Sequence, residues 1–311
     1  MILSDSNCSI YQLAVPSVTS DGTCLINPSI LIDNDNIIVN LRHIQYTYPN
    51  AHEPQFGPLI HVNTENDIPL TTVNYICKLN NDNFVINEYH KVNTSRFSKN
   101  PFYGFVGLED ARLIKWHDKF YLCGVRVDTN IRGYGRVEMS EIKILDSGVE
   151  EVSRLRFQCP GENDTYQEKN WMPILDKPFH FIRWANPTEV VKVDVNNFSS
   201  EIVFHGNHIQ LPAELRGGTQ LLSWDEGYLT VTHEINMDNA RRKYRHRFVY
   251  WDKDFTNIKY SKMFSFTNAD IEFACGMTEY HNNLLITFGV QDKSAFIINV
   301  PKSLVNKMIN P

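Results

Sequence analysis

Short runs of Val, Ile, Leu, Tyr and Phe recur along the chain, broken by Asn, Asp, Gly and Pro, and long helical periodicity is hard to find. Five stretches can be laid side by side: NPSILIDNDNIIVNLR from Asn27, EDARLIKWHDKFYLCGVR from Glu109, NWMPILDKPFHFIRW from Asn170, GGTQLLSWDEGYLTVTHE from Gly217 and CGMTEYHNNLLITFGVQD from Cys275. Each opens on polar or small residues. A short apolar strand follows, then a tight polar turn (DND, HDK, LDK, WDE, HNN), then a second apolar strand with a polar end.

A hairpin repeated five times, with further strands between the copies, predicts an all-β five-bladed β-propeller with its site at one end of the central channel. Four strands per blade take roughly 40–50 residues, so five blades fit the chain with room for long loops. An irregular β-sandwich is the alternative, because hairpins recur there too. The propeller reading makes residues 1–311 a single closed domain, with PKSLVNKMIN at the C-terminal end as a short helix.

The 311 residues are 42% hydrophobic, enough for a large core. A net charge of −6, from 30 basic and 36 acidic residues, gives no general attraction to nucleic acid or an anionic membrane. The six cysteines, at 8, 24, 77, 123, 159 and 275, show no metal or redox spacing and read as free thiols of a reducing compartment. The N-terminal stretch has no basic start and no sustained apolar run, and no window approaches a membrane span of roughly 18 residues. A soluble, cytoplasmic protein is expected.

The repeats also place the polar strand ends. Asn27, Glu109, Asp110, Asn170 and Gly218 open the first strands; Arg42, Arg126, Arg183, His233 and Asp292 close the second ones. A hairpin brings its two ends to one level, so these groups are expected to converge as a polar pocket on one face of the channel.

GLEDAR (107–112) resembles the E-D-P-R signature of five-bladed propeller enzymes that phosphorolyse or hydrolyse β-mannosides, glycoside hydrolase family one hundred and thirty. NPSI with NLR, EKNWMPI, GGTQLL with VTHE, and FGVQD resemble the family's first-, third-, fourth- and fifth-blade segments, in the family's order over residues 27–292. Ala111 stands where the family usually has proline, and the stretches 43–100 and 236–250 match no family motif.

The resemblance implies an inverting reaction on a mannoside-like bond. Such chemistry needs an acid on the leaving oxygen and a nucleophile on the opposite face of the sugar. Asp110 matches the family's general acid, which must hold a proton when needed; Glu109 would help by repulsion and Arg112 would oppose it. A structural alternative makes Glu109 and Arg112 an inter-blade salt bridge and Asp110 a turn cap. Arg42, Lys169 and His233 match positions where the phosphorylases hold phosphate, with Asn170 as a neutral donor. Glu234 is the candidate base if water attacks. Asn27, Glu109, Arg112, Arg126, Gly218 and Asp292 are candidate substrate contacts. Trp171 and Trp184 are either sugar platforms or core.

RRKYRHR (241–247) is the other charge outlier, read as a docking patch for an anionic acceptor or nucleotide diphosphate, or as a solvated loop or subunit contact. DND at 33–35 sits where the other copies have their turns, and is read as a turn rather than a metal motif. No metal or cofactor is expected. The expected partners are a sugar or glycan, with inorganic phosphate, a sugar phosphate or a nucleotide sugar; neither a membrane nor nucleic acid is expected, and the oligomeric state is not legible. Beside the phosphorylase-like enzyme stand two alternatives: a nucleotide-sugar-dependent glycosyltransferase on the same scaffold, and a non-catalytic glycan-binding propeller.

Overall fold

The computed structural model describes residues 1–45, 70–161, 167–206, 214–238 and 241–310. Each of the five hairpins starts its own four-stranded antiparallel blade. Blade 1 holds Cys24–Asp33, Asn36–Ile44, Leu70–Leu79 and Ile86–Asn93; blade 2 holds Glu109–Trp116, Lys119–Arg126, Arg136–Leu145 and Gly148–Arg156. Blade 3 holds Met172–Pro173, His180–Ala185, Thr188–Val193 and Ser200–His205; blade 4 holds Leu222–Trp224, Gly227–Asp238, Arg241–Asp252 and Ile258–Tyr260. Blade 5 has three consecutive strands, Glu272–Tyr280, Asn283–Val290 and Ser294–Pro301. Its fourth is the N-terminal strand Ser9–Leu13, which pairs with Ser294–Pro301 and ties the two ends of the chain together. The C-terminal helix spans Lys302–Ile309.

The strands read as apolar runs rather than clean alternation because both faces of a blade are buried, each against a neighbour. Leu113 packs towards blade 1, with Leu31 and Ile76, while Ile114 packs towards blade 3, with Trp171 and Phe181. Further apolar clusters join blade 3 to 4 (Ile182, Trp251), 4 to 5 (Phe248, Phe288) and 5 to 1 (Leu285, Val39). The five clusters close the ring. Blades 1 and 2 also touch edge to edge, where Val92 and Asn93 pair in parallel with Val149 and Glu150.

The polar turns have the geometry hairpins need. Asn34 and Asp35, like His117 and Asp118, lie at positive φ, the signature of primed turns that match strand twist. The DND segment is such a turn, and Asp33 carries an ion pair to Lys115 at 2.7 Å. The unmatched stretch 43–100 supplies the outer strands of blade 1 at residues 70–93; residues 46–69 of it lie outside the described residues. RRKYRHR is not a loop. It begins the third strand of blade 4, hydrogen-bonded opposite Thr232–Asp238. All six cysteines are free thiols, five of them buried. No helix among the described residues is long and apolar enough to cross a membrane.

Candidate functional site

Three innermost strands open with the same backbone device. Asn27, Asp110 and Asn170 have φ of 43°, 48° and 61°. In blades 1 and 2 the pairing register slips there, between Ile26 and Ser29 and between Glu109 and Arg112. Asn and Asp tolerate the left-handed conformation better than other non-glycine residues, and a bulge re-aims a side chain. The effect is to turn Asp110 towards blade 1, where Asn27 Nδ2 donates to its Oδ1 at 2.7 Å. Gly289 of blade 5 makes room: a Cβ there would lie 2.1 Å from Asn27 Oδ1.

Arg42 is the hub. Its Nη1 lies 2.8 Å from Asp110 Oδ1, its Nη2 3.1 Å from Glu109 Oε2, and its Nε donates to Thr72 Oγ1 at 2.9 Å. Glu109 therefore pairs with Arg42 and not with Arg112. Arg112 is 1% exposed. Its Nε and Nη2 donate across the channel to the carbonyl of Gly218 in blade 4 at 2.9 and 2.8 Å, and its Nη1 donates to the Asp110 carbonyl at 2.8 Å. Gly218 itself sits where a Cβ would meet the Val231 carbonyl at 2.3 Å. Gln220 donates to the carbonyls of Ile30 and Met277, linking blade 4 to blades 1 and 5. These bonds close a polar floor beneath Asp110.

The electrostatics differ from the expected ones. Asp110 was expected to hold a raised pKa. Burial does push it up, but the Arg42 guanidinium, the Asn27 amide and Arg112 outweigh that, and the net direction is down. Glu109 goes the other way, raised by burial against the pull of Arg42, with Asp110 and Asp128 adding to the rise. In the empty pair the proton is better held by Glu109.

Lys169 of the blade 3 entry is exposed and has no hydrogen bond or ion pair of its own among the described residues, yet its charge acts on both Glu109 and His233. Asn170 lies beside it, its carbonyl against Gly217. His233 was expected to act as a cation. It is buried, stacked on Tyr244 at 5.2 Å and edge-on to Phe273 at 5.1 Å, and burial together with His246, Arg216, Arg112 and Lys169 holds its pKa well below the usual imidazole value. It is neutral. Asp292 belongs to the same end of the channel: burial raises the Tyr244 phenol first, and the charges of Asp292 and Asp110 both add to that rise.

Two candidate residues, Glu234 and Arg126, lie elsewhere or are occupied, and Trp171 takes the core alternative. Glu234 follows His233 along a strand and so points to the opposite face of the blade, where Arg247 Nε donates to it. Arg126 sits between blades 1 and 2, its Nε 3.1 Å from Glu138 Oε2. Trp171 is core, 2% exposed, with its indole N–H on Glu168. Sequence reasoning missed Thr72, Arg216 and Tyr244. The alternation in RRKYRHR carried the signal for the last: read as a strand, it places Arg242, Tyr244 and His246 on one face.

The buried imidazoles predict acid sensitivity. Burial pushes His246 down to about 3, from 6.5. A depressed folded-state pKa means full stability above 6.5, lost as pH falls towards 3, at about 1.4 kcal/mol per pH unit for each such group. His233 acts in the same direction and Glu109 in the opposite one. Denaturant titrations at pH 7 and 5 are expected to show His246→Phe losing about 2 kcal/mol less than wild type over that interval. An unchanged difference between the two pH values would refute the assignment.

No family model matches the chain, and no curated protein matches it. Solved structures do. The β-1,2-mannobiose phosphorylase of Listeria innocua, solved with β-1,2-mannobiose, is 13% identical, with 97% of this chain and 99% of that one covered at a TM-score of 0.60. A GDP-Man-dependent mannosyltransferase of Leishmania mexicana is 12% identical, with 94% and 90% covered at 0.57. A mannose phosphorylase of the same organism, solved with phosphate ion, is 12% identical, with 96% and 91% covered at 0.52. At these identities the likeness concerns the fold, and the chain has the five-bladed propeller fold found in mannoside phosphorylases and a mannosyltransferase.

Proposed function

We propose that the chain makes or breaks a mannoside-like glycosidic bond with inversion, using a phosphate-bearing co-substrate and Asp110 as the acid or base. The observation that carries this reading is the convergence on Arg42 of two carboxylates with different proton affinities, Glu109 and Asp110, near the exposed ammonium of Lys169, which has no partner among the described residues. Arginine forks suit phosphate oxygens, and a lysine adds a point charge.

In phosphorolysis a phosphate oxygen attacks the anomeric carbon from the face opposite the leaving sugar. The new C–O bond forms as the old one breaks, and the proton of Asp110 passes to the leaving oxygen, directly or through a hydroxyl relay. The products are a sugar 1-phosphate of inverted configuration and the free sugar. Asp110 is ionised in the free site because Arg42 holds it so. An arriving phosphate shares the Arg42 charge and adds its own negative charge, and both effects raise the pKa of Asp110. Substrate binding thus prepares the acid.

The second reading, transfer from a nucleotide sugar, is favoured by Arg216 and Arg242, whose charges reach Tyr244 on the blade 4 side of the site. Parallel incubations separate the two: β-1,2-mannobiose with inorganic phosphate, and GDP-mannose with mannose. Release of mannose 1-phosphate in the first supports phosphorolysis, and consumption of GDP-mannose in the second supports transfer. Turnover in neither, with the reverse reaction from mannose 1-phosphate also silent, would leave the glycan-binding propeller as the better account.

A further inference from the structure

We propose that Gln167, Glu168 and Arg183 are positioning residues: they fix the backbone at Lys169 so that its ammonium is presented to the phosphate-bearing group at Arg42. The inference rests on reading the Asp110–Arg42 end of the channel as a phosphate-using site. Arg183 is where the construction starts. The pairing register of blade 3 slips between Ile182 and Trp184, and Arg183 is the extra residue of the bulge. A bulge re-aims a side chain, as it does at Asp110.

The buried guanidinium of Arg183 is held from two sides. Its Nη2 donates to Glu168 Oε1, its Nε to Glu168 Oε2 at 3.3 Å, and its Nη1 to Glu189 Oε1 at 2.9 Å. Glu168 is buried as well, and its Oε2 accepts the Trp171 indole N–H at 2.9 Å. The Glu168 backbone N–H donates to the carbonyl of Gly135, which precedes the third strand of blade 2, at 3.0 Å, and the Gly135 N–H donates in return to Gln167 Oε1. On the other side of Lys169, the Asn170 carbonyl is pressed against Gly217 of the blade 4 entry, where a Cβ would lie 1.9 Å from it. The neighbours of Lys169 are thus fixed to blades 2, 3 and 4.

Desolvation offsets most of the attraction in a buried ion pair, so net stability is a poor account of a guanidinium enclosed with two carboxylates. Fixing geometry is a better one. Lys169 is exposed, has no hydrogen bond or ion pair among the described residues, and acts by its charge on both Glu109 and His233. A lysine is a point charge on a flexible stem, which loses freedom when it captures an anion. A backbone that already aims the stem lowers that loss. The Arg183 charge also offsets that of Glu168, which would otherwise compete with an incoming anion for the lysine next to it.

The test is calorimetric titration of inorganic phosphate into wild type, Arg183→Lys, Gln167→Ala and Lys169→Met, and into each of the first two variants combined with Lys169→Met. Lysine keeps the charge of Arg183 and loses its fork. Gln167 is exposed, so its variant decides the matter if Arg183→Lys fails to fold. Each of the two is expected to weaken phosphate binding about three- to tenfold when Lys169 is present, and less than about twofold once it is methionine, the coupling that a role through Lys169 requires. Arg42 remains in every variant to hold the anion. Thermal melts accompany the titrations. A lower melting temperature with unchanged phosphate affinity, the same loss with and without Lys169, or full affinity in Lys169→Met would each overturn the proposal. No phosphate binding to wild type would remove the positioning role and the phosphate-using reaction together. The expected coupling, in a protein that turns over neither mannobiose nor GDP-mannose, would leave the positioning role standing and remove the proposed reaction alone.

Discussion

Asp110→Asn is expected to lower turnover about 10²–10⁴-fold, the range general acid–base catalysis typically contributes, while the protein stays folded. The substitution keeps the shape of the side chain and its reach to Asn27 and Arg42, and removes the group that gives and takes the proton. Arg42 retains Glu109 as a partner at 3.1 Å, so no buried cation is stranded. Glu109→Gln separates the two carboxylates. It removes the carboxyl group next to Asp110 and leaves Asp110 itself in place, so its effect should fall mainly on the pH profile. Both are measured as turnover with the better substrate pair, alongside thermal melts. Near-normal turnover in folded Asp110→Asn would show that another group is the acid, and the bulge at Asp110 would then be a structural turn.

Arg112→Met is expected to act on stability. Its guanidinium donates three hydrogen bonds to carbonyls of blades 2 and 4 and is almost wholly enclosed. Methionine fills much of the volume and leaves the Gly218 and Asp110 carbonyls without these donors. Hydrogen bonds to charged groups contribute about 1.5–3 kcal/mol, and unsatisfied buried acceptors cost about 1–3 kcal/mol each, so a loss of roughly 3–5 kcal/mol is expected. Equilibrium denaturation in urea measures it. A residue whose business was substrate would instead raise KM with little change in the unfolding midpoint, and that outcome would return Arg112 to the substrate contacts.

The hairpins, their turns and their fivefold recurrence were legible because both strand and turn chemistry are local. Apolar runs and Asn, Asp or Gly at positive φ act within a few residues, and a repeat multiplies the signal. Glu109 and Asp110 could be singled out because charge at the mouth of a buried strand is costly without a partner or a purpose. The identity of the partner was not legible. Arg42 is 67 residues from Glu109 in the chain, and only ring closure sets its guanidinium between Glu109 and Asp110. The same closure gave Arg112 a carbonyl of blade 4, and so took it out of the pair that its sequence neighbours suggested.

The protonation states also belonged to the tertiary structure, because a pKa follows desolvation and charges brought from several blades. His233 reads as a cation in sequence and is neutral in its enclosure between Tyr244 and Phe273. Asp110 reads as a raised acid beside a like charge and is held down by Arg42. RRKYRHR reads as a patch by composition, yet pairing with Thr232–Asp238 makes it a strand, and the period of two divides it between two faces. By itself the sequence determined the blades and the polar ends of their strands, through periodicity and turn chemistry that act over neighbouring residues. Which of those ends meet, and which of them carry charge, was decided by the closed ring, because contact and burial between groups so far apart in the chain exist only once the last blade is joined to the first.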